Sequence, residues 1–212
     1  MAQIIRALAW TGLLAGLVGC SQNYSDQPAQ QALAEKGLKP ATPALPQAQS
    51  DQGQSAGQRQ SLGGISAVPP QGWQRVSPSS SMRLAEYRLA GGAEGEATLA
   101  VFYFGSGQGG GLEENIERWY GQFTQPDGRP TRERARRWEQ EVEGVRLTLV
   151  DLSGTYNSGM GQPQGALEDY RMIGAIAQAR AGLFFFKLTG PRPTVARWEE
   201  SFAQYMASIR PE

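Results

Sequence analysis

The chain has 212 residues, no histidine, a single cysteine, and 20 basic residues against 20 acidic ones. That composition excludes a Ser-His-Asp or Cys-His catalytic arrangement, a His-ligated metal, an internal disulfide and a thiolate cluster, so neither metal nor cofactor is expected. A net charge of zero speaks against nucleic acid as a partner, because nucleic-acid binders carry a basic excess, and 27 glycines with 13 prolines point to a chain that is only partly packed.

Residues 1–19 read as an export signal. Arg6 is the only charge before Cys20, and an apolar stretch runs from Ala7 to Val18. That stretch is too short to cross a bilayer core, which takes about 20 apolar residues in a helix. Leu17-Val18-Gly19-Cys20 resembles the lipobox of bacterial lipoproteins. The resemblance implies cleavage before Cys20, a diacylglycerol on its thiol and an acylated amine, with palmitate as a tracer. Two or more acyl chains anchor stably where one holds only marginally, so the lipid bilayer is the expected partner of Cys20. Ser21 follows the cysteine where an aspartate would favour inner-membrane retention. The resemblance therefore implies an outer-membrane location facing the periplasm.

Residues 20–64 are expected to form the lipidated end and a disordered tether. From Ser21 to Gly64 the chain is Gln, Ala, Pro, Ser and Gly, with Tyr24 as its only aromatic residue, so it cannot bury enough apolar surface to offset the entropy of ordering. A coil of this length would span about 35 to 40 Å, enough to hold a domain off a membrane.

Residues 65–212 are rich in aromatic and β-branched side chains and fit a single domain. Gly72–Val76 and Met82–Leu89 read as strands. Thr98–Phe104 is apolar on both faces and reads as a central strand. Leu112, Ile116, Trp119, Tyr120 and Phe123 fall on one stripe of an amphipathic helix, with Glu113 and Glu114 in its first turn. Arg137–Val142 and Val145–Leu152 form a hairpin about Glu143-Gly144, and a polar loop is expected from Ser153 to Leu167. Asp169–Ala179 and Leu183–Thr189 form a second hairpin, interrupted by Gly190-Pro191. Val195, Trp198, Phe202, Tyr205, Met206 and Ile209 mark a closing helix. Hairpin-linked strands with helices at two points predict an α+β domain, an antiparallel β-sheet flanked by helices.

Val68-Pro69-Pro70-Gln71-Gly72-Trp73, the helix around Trp119, the Glu143-Gly144 hairpin and the closing helix from Phe202 to Ile209 resemble the PsbP/Mog/DcrB-like α/β/α sandwich. Ser80-Ser81-Met82-Arg83-Leu84, Val101 to Gly105 and Phe186 to Pro191 also look like segments of uncharacterised bacterial lipoproteins. The resemblance spans Val68 to Ile209 and implies the sandwich fold. It implies almost nothing about activity, because fold does not carry function.

Four constellations could carry chemistry. Gly105-Ser106-Gly107-Gln108-Gly109-Gly110 satisfies GxGxxG between a strand and a helix, but Glu113 and Glu114 would face a pyrophosphate and no parallel βαβ continuation follows, so a flexible connection is favoured over a dinucleotide site. Arg129, Arg132, Arg134, Arg136 and Arg137 could meet anionic lipid or an acidic partner, or pair with Glu139, Glu141 and Glu143 across the hairpin; the self-neutralised face is favoured. For acid–base work only carboxylates, Lys187 and tyrosines remain. Asp151, Glu168 and Asp169 flank the long loop, and a carboxylate pair about 5 to 9 Å apart would suit glycoside hydrolysis. Finally, Gly105, Gly107, Gln108 and Gly110 of one glycine-rich loop, with Tyr156 and Met160 of the other, are the candidate positions for contact with an envelope protein partner; simple disorder is the alternative. Trp73, Trp119, Trp138 and Trp198 are expected in the core. The expectation is thus a non-enzymatic binding or accessory module, with a carboxylate-based cell-wall hydrolase and a structural tether as the alternatives.

Overall fold

The computed structural model describes residues 57–157 and 165–212. Residues 1–56, which hold the expected signal segment, Cys20 and most of the expected tether, and Met160 lie outside the described residues. The described residues fall within one compact unit whose buried core runs from Leu62 to Ile209, so they contain their own core and fold as one domain.

The elements follow in chain order as β1 (Gln60–Ser61), β2 (Ile65–Ala67), β3 (Trp73–Val76), β4 (Arg83–Leu89), β5 (Ala97–Tyr103), α1 (Leu112–Tyr120), β6 (Phe123–Thr124), β7 (Arg136–Val142), β8 (Val145–Asn157), β9 (Ala166–Ala179), β10 (Gly182–Pro191), α2 (Arg192–Ala207) and β11 (Arg210–Pro211). The large sheet has the order β3-β4-β5-β10-β9-β8-β6, and β7 shares the outer edge of β8 with β6. Every pairing in it is antiparallel. With helices on both faces, this is the expected α+β fold.

One face is buried under α2, where Val195, Phe202, Tyr205 and Met206 pack on side chains such as Leu99 and Phe186. The other face carries α1, whose Ile116 and Trp119 pack on Val150, Met172, Ile176 and Phe185. Trp119 needs Gly174 beneath it: a Cβ there would lie 2.5 Å from the indole ring. The nine residues of α1 make a helix about 13 Å long, whereas a seven-strand path at about 4.8 Å spacing is about 29 Å across. The described residues therefore leave part of this second face uncovered.

Four boundaries differ from the sequence expectation. Gln60 and Leu62, counted with the tether, belong to the domain. Leu62 is buried, Tyr87 Oη donates to Gln60 Oε1 at 2.7 Å, and β1 pairs with β2 in a small sheet that β11 completes. The first helix ends at Tyr120, so Phe123 reaches the same apolar cluster from β6 instead. Of the loop expected from Ser153 to Leu167, every described residue except Gly165 is strand, since β8 runs to Asn157 and β9 begins at Ala166. Its polar residues hid a strand that aromatic pairs hold: Tyr156 packs on Phe123 and stacks on Tyr170. Gly190-Pro191 does not interrupt β10 but extends it, because a side chain at Gly190 would strike Ala97, with Cβ atoms 2.6 Å apart.

Candidate functional site: the cleft over Lys187

Strand β10 presents Phe184, Phe186 and Leu188 to the α2 side, so its odd-numbered residues point to the half-covered face. Lys187 is one of them. Its cross-strand neighbours are Ala100 of β5 and Gly174 of β9, both too small to fill the space above the sheet. Trp119 occupies the Gly174 side. On the other side a cleft of about 360 Å³ opens, lined by Thr98, Phe102, Tyr156, Tyr170, Thr189 and Arg83, with the exposed Glu96 among its residues.

Lys187 Nζ donates to Gln122 Oε1 at 2.8 Å. Gln122 is itself held where the chain leaves α1: its N–H donates to the Trp119 carbonyl at 3.1 Å, and its carbonyl accepts from Asn157 N–H at 2.7 Å. No acidic side chain among the described residues forms an ion pair with Lys187. Burial, and then the nearby charge of Arg83, hold the amine well below the ordinary lysine value, at about 8. Arg83 is turned to Glu86 at 2.9 Å and lies 6.0 Å from the Phe102 ring centre. The Tyr156 and Tyr170 rings are nearly parallel, with centroids 6.0 Å apart, and burial raises the Tyr156 hydroxyl above its ordinary value. One amine, two threonine hydroxyls and a set of aromatic rings converge on a concave, half-exposed surface. Such a surface can grip a polar head and cover an apolar body.

The sequence offers Lys187 only as one of the groups left for acid–base work and Tyr156 only as a loop contact, and nothing along the chain joins the two, although Lys187 carries a signal of its own. Lys187 is the only lysine after Lys39, in a stretch that holds 16 arginines from Arg59 to Arg210, and it is set between Phe186 and Leu188. A chain that uses arginine at every other cationic position of its domain has a reason to place one lysine in an apolar strand.

The residues singled out from sequence are dispersed. Gly105, Gly107, Gln108 and Gly110 lie in the connection from β5 to α1, where Gln108 N–H donates to the Gly105 carbonyl at 3.2 Å. This connection shapes the entry to α1: Glu114 Oε2 accepts from Gly111 N–H at 3.0 Å, and Asn115 Nδ2 donates to the carbonyls of Gly109 and Gly111. A carboxylate of the helix's own first turn thus occupies its N-terminus. The strand after α1 pairs with β8, away from β5, so the GxGxxG segment is not part of a dinucleotide-binding βαβ unit. Tyr156, expected on a loop, stands on β8 and lines the cleft.

The arginine run is neutralised, but not by the glutamates across the hairpin. Arg137 makes a bidentate pair with Glu113 at 2.7 and 2.8 Å, Arg132 pairs with Glu117, Arg134 and Arg129 with Asp127, and Arg136 with Asp151 and Glu199. Helix α1, the Asp127 turn, β8 and α2 supply these acids; Arg137 shares its face of β7 with Glu139 and Glu141, yet its guanidinium forks onto Glu113 of α1. Asp151 is gripped by Arg171 through two 2.8 Å hydrogen bonds, and Arg171 reaches Glu199 of α2 at 2.8 Å. Asp169 pairs with Arg192 at 2.7 Å, and Glu168 is exposed. The oxygens of Asp151 are therefore committed to guanidinium groups that dock α2 on the sheet. Trp73 and Trp119 are buried, whereas Trp138 and Trp198 are only partly so; Trp198 Nε1 donates to the Ala90 carbonyl at 2.9 Å.

No protein-family model matches the chain, and no curated protein matches it. Among solved structures it is similar to the solution structure of cyanobacterial PsbP (CyanoP) from Synechocystis sp. PCC 6803, with 13% identity, a TM-score of 0.47, and coverage of 74% of this chain and 94% of that one. It is also similar to the crystal structure of a protein of unknown function from Pseudomonas aeruginosa, with 17% identity, a TM-score of 0.44, and coverage of 73% and 96% respectively.

Proposed function

We propose that this protein is a bacterial envelope lipoprotein, anchored by acylated Cys20 in the outer membrane and facing the periplasm, whose domain serves as a binding or accessory module. The observation that carries the binding role is the part of the sheet that the described residues leave uncovered, where Lys187 stands without an acidic partner among them at the base of an aromatic-lined cleft. A spacer would gain nothing from leaving that face open. The short lipobox-like segment and the long polar stretch before the domain support the anchored, extended arrangement.

Two measurements test the two halves of this reading. Cys20→Ala should release the protein from the membrane fraction and abolish incorporation of labelled palmitate. For the domain, photo-crosslinking residues are introduced in living cells at Leu84 and Phe104, which are 38% and 40% exposed, and at Arg197 on the exposed side of α2 as a control. Phe104 stacks on the cleft residue Phe102, so a module should give a discrete adduct from Leu84 and Phe104 and none from Arg197. Absence of any adduct while the protein stays membrane-bound would favour a structural tether.

A further inference from the structure

We infer that the cleft takes an amphipathic organic anion, with a carboxylate, sulfonate or phosphate head on Lys187 Nζ and a flat apolar body against Phe102, Tyr156 and Tyr170. The inference rests on the binding role proposed above and deepens it by naming the chemistry of the ligand. An ammonium carries three N–H donors, and Lys187 satisfies one on Gln122. The other two lie at the base of the cleft with no acid of the described residues in ion-pair range. Arg83, the second cation of the lining, is partly committed to Glu86 and leans over Phe102, which leaves Lys187 as the charge available to an incoming head group. Glu96, the acid among the lining residues, is exposed and pairs with neither cation. Thr98 and Thr189, directly opposite each other across β5 and β10, add hydroxyl donors beside the amine. The aromatic side is equally specific: three rings line the cleft and each is half-exposed, so an apolar body covering them would remove their remaining surface from water.

The test uses residues 50–212 and two fluorescent probes of nearly the same shape. One is 8-anilinonaphthalene-1-sulfonate, which carries the anionic head. The other is N-phenyl-1-naphthylamine, which lacks it. The sulfonate is expected to bind more tightly than the neutral probe by about tenfold or more, as a hydrogen-bonded charge should provide. Lys187→Met should remove that preference and leave the neutral probe nearly unchanged, whereas Phe102→Ala should weaken both probes alike. Equal affinities for the two probes, an unchanged sulfonate affinity in Lys187→Met, or binding of neither probe would overturn the inference. Each of those outcomes leaves the broader binding role to be decided by the crosslinks from Leu84 and Phe104, so the two failures are distinguishable.

Discussion

Lys187→Met should stabilise the folded domain at neutral pH, and the gain should vanish as the solution becomes alkaline. In the unfolded chain the amine has an ordinary lysine value near 10.5, whereas burial in the folded protein lowers it to about 8. Below pH 8 both states carry the proton, and the folded state bears the full cost of keeping a charge among apolar neighbours. Between pH 8 and 10.5 the folded state releases its proton first, so the unfolded state binds more protons and folding becomes more favourable as pH rises. At about 1.4 kcal/mol for each tenfold change in proton affinity, the full cost is about 3 kcal/mol. Partial access to water through the cleft makes that an upper limit. Methionine matches the length of the lysine stem and removes the charge, but the hydrogen bond to Gln122, worth about 1 kcal/mol, is lost with it. The net expectation is a gain of about 1 to 2 kcal/mol at pH 7 that falls away towards pH 10. Urea unfolding of residues 50–212, followed by tryptophan fluorescence at pH 7, 8.5 and 10 in both proteins, reads this difference directly. Comparing the two at each pH cancels the titration of every other group. A variant that is less stable than the parent at pH 7, by an amount that does not change with pH, would refute the placement of Lys187 in a desolvated site.

Other substitutions probe the supports of the cleft. Gly174→Ala places a methyl 2.5 Å from the Trp119 ring, so it should cost about 1 to 3 kcal/mol in urea unfolding and change the near-ultraviolet circular dichroism as the indole moves. Arg171→Met leaves Asp151 without its two-toothed partner in a region where both side chains are about 15% exposed, and a loss of about 2 to 4 kcal/mol at pH 7 is expected. Adding Asp151→Asn to that variant should recover part of the loss, and a strictly additive double mutant would mean that the pair is not coupled. Glu114→Ala removes the carboxylate that caps Gly111 N–H, so helix α1 should lose on the order of 0.5 to 1 kcal/mol, measurable by hydrogen exchange at its first turn.

The alternation of apolar residues made most of the sheet legible in the sequence, because Leu99, Val101, Phe184 and Phe186 belong to strands whose faces are both partly covered. What escaped was the part of the fold held by contacts distant in sequence. Thr155 and Asn157 look like loop residues until β6 and β9 pair beside them, and Gln60 looks like tether until Tyr87 donates to it across 27 positions. The ion pairs show the same limit. Charge counting along the hairpin expected neutralisation of the arginine run, which occurs, but apart from Asp151 on the return strand β8 the acids that achieve it come from α1, the Asp127 turn and α2, which only the packing brings near.

The cleft was hidden for a related reason, since its lining comes from β4, β5, β8, β9 and β10, with one or a few residues from each. Only the identity of residue 187 was visible along the chain, and its meaning depends on what arginine does elsewhere. Each ion pair among the described residues is made by an arginine. A guanidinium forks onto a carboxylate and stays charged when buried, which suits the docking of α2 and the fastening of β7 to α1. An ammonium is a compact charge on a flexible stem, and its proton affinity shifts readily when it is buried. Those properties are of little use in a static ion pair, and at neutral pH they burden the fold. They are of use where the charge must wait for an external partner, as it would at the base of an open, aromatic-lined cleft. Under the binding role proposed above, the cost that Lys187→Met is expected to relieve would be its physical trace, because a position kept only for packing would be better filled by the methionine.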